Sequence, residues 1–211
     1  AALSWLLPGY VGPGAPDPPR RARLIPGIPW DQELISFVAG VGLTVVFPLF
    51  IEVALRKKPL AHLGFGLPPA ASRAIGWGLA LGVFVVFAGP FALAPHGDAM
   101  RAVYPLYRGP LVGANFVAYE LSYFLFFLAL DGLLRGVMLF GLLDWGVGVI
   151  PAIAAETLVQ ATWHLGKPLG EALGSPVWGV IGGIVAYRSR SVWPVVVSHW
   201  LLNVVIDHVA R

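Results

Sequence analysis

Residues 128–137 read LALDGLLRGV. They sit within an apolar stretch from about 114 to 143, and about 20 residues suffice for a helix to cross a bilayer. An aspartate or an arginine at the centre of such a helix costs about 2.5–3.5 kcal/mol on insertion scales. Asp131 and Arg135 are four residues apart, so a helix puts them on one face, about one turn from each other. The stretch therefore predicts a membrane helix whose buried charges need partners elsewhere in the bundle. An ion pair that only ties helices together and a pair that takes part in chemistry both fit this placement.

The rest of the chain agrees with a membrane setting. Of its 211 residues, 57% are hydrophobic and 12% charged, with a mean hydropathy of +0.77. Globular domains carry about 25% charged residues. There is no cysteine, which excludes disulfides, thiolate metal sites and a cysteine nucleophile. The net charge of +3 is modest. Basic residues gather at segment ends and form no stripe for nucleic acid. The opening AALSWLL is too short and uncharged for a secretion signal. Without an initiator Met, the natural start is expected to lie upstream.

Residues 1–30 are rich in Pro and Gly and are read as an irregular arm lying at the membrane interface. Residues 31–211 are read as one helical bundle, an all-α polytopic membrane fold of about six transmembrane helices around a central polar cavity. The spans are placed near 34–54, 74–94, 114–143, 147–165, 173–187 and 191–208. Pro90 should kink the second, and PHGD at 95–98 should close it. Gly179, Gly182 and Gly183 in the fifth permit close helix packing. Alternating strand patterns are absent. The loops with Arg56, Lys57, Lys58, Arg73 and with Arg188, Arg190 fall on one side. The positive-inside rule makes that side cytoplasmic, whereas Arg20, Arg21 and Arg23 of the arm oppose it.

Ionisable residues inside membrane spans are functional candidates by default. Glu120 lies eleven residues before Asp131, on nearly the same face and about 16 Å away. Glu156, Gln160 and His164 step four residues at a time along one stripe. His199 and Asn203 in SHWLLN share the same spacing. Asp207 and His208 continue that face but lie near the terminus, where solvation is expected. Three helices thus each carry polar groups, and one shared cluster would satisfy them where an unpaired group costs several kcal/mol. A carboxylate, two imidazoles and an amide around one point are the parts of a water-activating hydrolase. His and carboxylate are also ordinary zinc ligands, although HExxH is absent.

At this point the sequence resembles the CPBP intramembrane proteases, the family of CAAX proteases and bacteriocin-processing enzymes. The family's EExxxRG reads LDGLLRG at 130–136, its FxxxH reads QATWH at 160–164, and its HxxxN reads HWLLN at 199–203. Flanking text in LAHLGFGLP (60–68), HLGKP (164–168) and RSRSVWP (188–194) is also similar. The first glutamate of the first motif is Leu130 here, and the second is Asp131. A branch of the family keeps only the second acid, with an upstream YE like Tyr119-Glu120.

The resemblance implies a helical bundle with a conical cavity and cleavage of a peptide bond near or within the membrane. It implies that Asp131, helped by Glu120, and His164 activate water. His199 and Asn203 would stabilise the oxyanion, and Arg135 would orient the acid. Glu156, Gln160 and Trp163 are expected beside the substrate. The glutamate-and-water version needs no metal, and zinc at the His/acid cluster is the alternative. The implied partners are membrane lipids and a membrane-anchored peptide or protein, either a prenylated CAAX-type C-terminus or a bacterial leader or sorting tail. The expected location is a bacterial inner or plasma membrane. A catalytically inactive relative acting as an immunity or binding protein, and a proton-coupled carrier, remain as other readings.

Overall fold

The computed structural model describes residues 24–93, 104–107 and 112–210. Among these residues every regular element is helical. Six long helices follow one another: α1 (Asp31–Leu55), α2 (Ala70–Leu93), α3 (Ala114–Asp144), α4 (Val149–Trp163), α5 (Leu169–Ser189) and α6 (Trp193–Ala210). Four of them, α1, α2, α3 and α5, are long and apolar enough to cross a membrane. With α4 at 15 residues and α6 at 18, they form an integral membrane bundle. The arm up to residue 23 and the PHGD turn lie outside the described residues.

Large apolar side chains point outward along the spans. Leu43, Phe47, Leu81, Val86, Leu121 and Val180 are all exposed, which is the expected face of a helix whose solvent is lipid. Inside, α1 packs on α3, α3 on α6, α2 on α5 and α6, and α4 on α5. An aromatic seam joins α1 to α3. Phe37 stacks on Tyr123 at 5.3 Å between ring centroids and meets Phe126 edge-on at 5.7 Å. Trp30, just before α1, is buried and set edge-on against Tyr119. Asp31 accepts hydrogen bonds from the backbone N–H groups of Leu24 and Ile25, so the end of the arm is pinned to the bundle.

The expected glycine contacts in α5 have a specific purpose. A Cβ on Gly183 would stand 2.6 Å from a carboxylate oxygen of Glu156, and one on Gly182 would stand 3.1 Å from the Arg135 guanidinium. Glycine at these positions makes room for buried charge on α3 and α4. Small residues at helix contacts let backbones approach in this way.

At one end of the bundle the two loops that resemble the family text dock together. Val192 N–H donates to Gly64 O at 3.0 Å, and Trp193 Nε1 donates to Phe65 O at 3.2 Å. Arg56 pairs with Glu52 at 2.5 Å and with Asp144 at 2.8 Å, and Lys58 joins Asp144 at 3.2 Å. Residues 56–69 and 190–192 therefore share one end, while Tyr104–Tyr107 and the 164–168 turn belong to the other.

Candidate active site

The polar core is built on a local irregularity of α3. Its helix loosens into π-type turns over Gly132–Met138, a departure often found at functional sites. A Cβ would stand 2.6 Å from Val45 at Gly132 and 2.8 Å from Phe65 at Gly136, so both positions need glycine. Asp131 and Arg135 still meet across the widened turn, 3.1 Å apart, and both are fully buried. Arg135 also lies 3.6 Å from Glu156 and donates to Gln160 Oε1. Gln160 Nε2 in turn donates to the backbone carbonyl of Ser175 on α5 at 3.2 Å. One guanidinium thus gathers groups from α3 and α4, and Gln160 extends the network to α5.

The second carboxylate oxygen of Asp131 accepts from His199 Nδ1 at 2.9 Å. A carboxylate holding Nδ1–H fixes the imidazole tautomer and orientation, leaving Nε2 as the working nitrogen. The His199 ring is clamped between Phe127 and Trp178, each 4.7 Å away. Asn203 donates to the His199 carbonyl at 3.2 Å.

Beside this network lies a cavity of ≈ 190 Å³. Its lining is largely apolar and aromatic, with Phe37, Phe87, Tyr123, Phe126, Leu202 and Ile206 among others. The same lining includes Gln160, Trp163, His164, Lys167, Glu171, His199 and Asn203. Of the residues singled out from the sequence, Gln160, Trp163, His164, His199 and Asn203 therefore reach one cavity. Asp131, Arg135 and Glu156 stand behind its wall. Leu130, not Asp131, lines it. Glu120 is buried elsewhere; its backbone carbonyl accepts from Trp200 Nε1 at 2.7 Å.

Asp207, expected to be solvated, is instead fully buried, while His208 beside it is exposed. The reason is that α6 runs through the packed interior to its end, with Ile206 buried on the cavity wall.

His164 sits at the C-terminal end of α4, and its Nδ1 is 2.8 Å from the Gln160 carbonyl. A carbonyl oxygen only accepts, so Nδ1 carries the proton and Nε2 is turned to the cavity. Nε2 lies 3.5 Å from Glu171 Oε1. The same oxygen accepts from Tyr104 OH at 2.7 Å and from Lys167 Nζ at 2.5 Å. Tyr104, in the segment before α3, has its phenol pKa pushed well up by burial and then by the neighbouring Glu171 charge, so it remains a hydrogen-bond donor.

Sequence reasoning missed Glu171, Tyr104 and Lys167. The only local signal was KPLGE, a Lys and Glu four apart, which reads as a solvated helix start. Among the described residues no three His, Asp or Glu side chains converge as a metal site requires.

Two histidines, an asparagine and acids gathered around an internal cavity among apolar helices are groups that can activate water and hold an oxyanion. The family model described as type II CAAX prenyl endopeptidase Rce1-like matches residues 115–205, from the start of α3 almost to the end of α6. The matched stretch holds all three motifs, and over these residues the chain is similar to that Rce1-like protease family, in keeping with the CPBP resemblance of the motifs. No curated protein and no solved structure gives a match.

Proposed function

We propose that the protein is an intramembrane endopeptidase that hydrolyses a peptide bond of a membrane-anchored substrate, with a prenylated CAAX-type C-terminus as the favoured substrate class. The observation that carries this reading is the convergence of His164, His199 and Asn203 on one cavity whose lining is otherwise largely aromatic and aliphatic. Such a cavity can take a lipidated or apolar segment against its apolar lining and bring a peptide carbonyl to the polar side chains among it.

In this reading His164 holds the attacking water through Nε2. His199 and Asn203 face the developing oxyanion, where preorganised donors commonly contribute 10²–10³-fold or about 2.7–4 kcal/mol. Asp131 acts through His199, holding the ring and stabilising its charged form. Arg135 holds Asp131 and is in turn held by Glu156 and Gln160. Asp131, Arg135 and Glu156 are positioning residues here, and Gln160 and Trp163 border the substrate. Glu120 has no part in the chemistry.

A second reading has one observation in its favour. Leu130 lines the cavity at the position of the family's first-motif glutamate, as it would in an inactive relative that binds without cleaving. The experiment is to incubate purified, detergent-solubilised protein with matched farnesylated and unprenylated CAAX peptides and to read products by mass spectrometry. Cleavage confined to the farnesylated peptide supports the proposed substrate. Binding of both peptides with no product supports the inactive relative.

A further inference from the structure

We propose that Glu171, at the start of α5, is the acid that activates the hydrolytic water in this chain, in the place left open by Leu130. The inference rests on the peptidase reading above and assigns its missing base. Three observations lead to it.

First, the carboxylate is on the cavity wall and Asp131 is not. Second, Glu171 is held from one side only. Tyr104 and Lys167 both bind Oε1, while Oε2 is buried with no hydrogen-bond partner among the described residues. A buried carboxylate oxygen left without a donor costs about 1–3 kcal/mol or more, which calls for a ligand or a functional explanation.

Third, Glu171 Oε1 faces His164 Nε2 at 3.5 Å. With Nδ1–H committed to the Gln160 carbonyl, a neutral His164 presents a lone pair there. Two acceptors at this distance do not bond to each other. They are reconciled by a water that donates one hydrogen to each, or by a proton that turns the pair into an imidazolium–carboxylate ion pair. The first arrangement is that of a general base with its water already gripped.

The step balances without a co-reactant. The water gives one proton to the Glu171 carboxylate as its oxygen bonds to the scissile carbonyl carbon. The carbonyl π pair moves onto oxygen, toward His199 and Asn203. Collapse re-forms the carbonyl and breaks the C–N bond, and the proton held on Glu171 passes to the leaving amine. Tyr104 and Lys167 keep the carboxylate turned to His164 throughout.

The test uses the full-length protein and a farnesylated CAAX peptide, with kcat and KM measured for the wild type, Glu171→Gln and Glu171→Asp. Glutamine keeps an acceptor oxygen for Tyr104 and Lys167 but is no base, so kcat should fall on the order of 10²–10⁴-fold with KM little changed. Aspartate keeps the charge and the ion pair with Lys167, and therefore the fold, but withdraws the carboxylate by about 1 Å. It should lower kcat about 10²-fold. Wild-type kcat in either folded variant overturns the assignment and leaves Glu171 as half of an ion pair, with the peptidase reading intact. A wild-type protein that cleaves nothing overturns the peptidase reading, and this inference with it.

Discussion

Arg135 is the residue on which the polar core turns. Its guanidinium is fully buried and answers Asp131, Glu156 and Gln160 at once. Removing one partner from such a set leaves a buried charge unanswered, which typically costs 3–5 kcal/mol, far more than the set contributes net. Arg135→Met should therefore lower the thermal unfolding midpoint of the detergent-solubilised protein by an amount matching about 3–5 kcal/mol, whether or not substrate is present. An unchanged midpoint would contradict the role given to it.

Asp131→Asn separates positioning from packing. Asparagine can still meet Arg135, but it no longer stabilises a charged His199. Turnover should fall on the order of 10²-fold or more, with substrate binding preserved. Full turnover in a folded Asp131→Asn protein would remove His199 and its partner from the mechanism.

The sequence located this pair and the two histidine motifs but not the direction in which Asp131 points. Helical periodicity says which residues share a face. It does not say which neighbouring helix that face meets, and a one-residue difference decides whether Leu130 or Asp131 reaches the cavity. Glu171 was invisible for a related reason, since an acid in the first turn of a helix is ordinarily a dipole partner in water.

At the scale of elements, the helices were readable because long apolar runs with charged ends leave few alternatives in lipid. The expected span at 34–54 is the helix Asp31–Leu55, and that at 114–143 is Ala114–Asp144. The fifth helix begins at Leu169 rather than near 173. Pro168 precedes its first residue with an extended ψ of 140°, and Gly170 and Gly174 on either side of Glu171 disguise a helical turn as a loop. That extra turn is the one that carries Glu171.

The same helix shows how close approach and buried charge are linked. A Cβ at Gly183 would meet Glu156 at 2.6 Å and Ile153 at 3.0 Å. Gly183→Ala should then destabilise the bundle by about 1–3 kcal/mol, as overpacking usually does. Gly174, with open space around its Cβ position, gives the control, because Gly174→Ala should leave the unfolding midpoint near or above wild type. Equal midpoints for the two variants would mean that α4 and α5 are not so closely packed.

For the whole molecule, the question is which end of the cavity faces which compartment. The basic loops cluster at the end away from Tyr104 and the 164–168 turn, and the positive-inside rule assigns that end to the cytoplasm. Because the chain has no cysteine, single-cysteine labelling reads this directly. Trp145 is 77% exposed at the basic end and Leu165 is 73% exposed at the other. Trp145→Cys should react with an impermeant thiol reagent only from the cytoplasmic side, and Leu165→Cys only from the opposite side. The reverse pattern would turn the cavity toward the cytoplasm.

Peptide hydrolysis itself is the claim on which the rest depends. The most direct measurement compares release of the C-terminal fragment from a farnesylated CAAX peptide by the wild-type protein and by its His164→Ala and His199→Ala variants, all checked for folding. The expected result is cleavage by the wild type and its loss, by at least about 10²-fold, in both variants. Cleavage that survives both substitutions, or a folded wild type that binds the peptide and releases nothing, would contradict it.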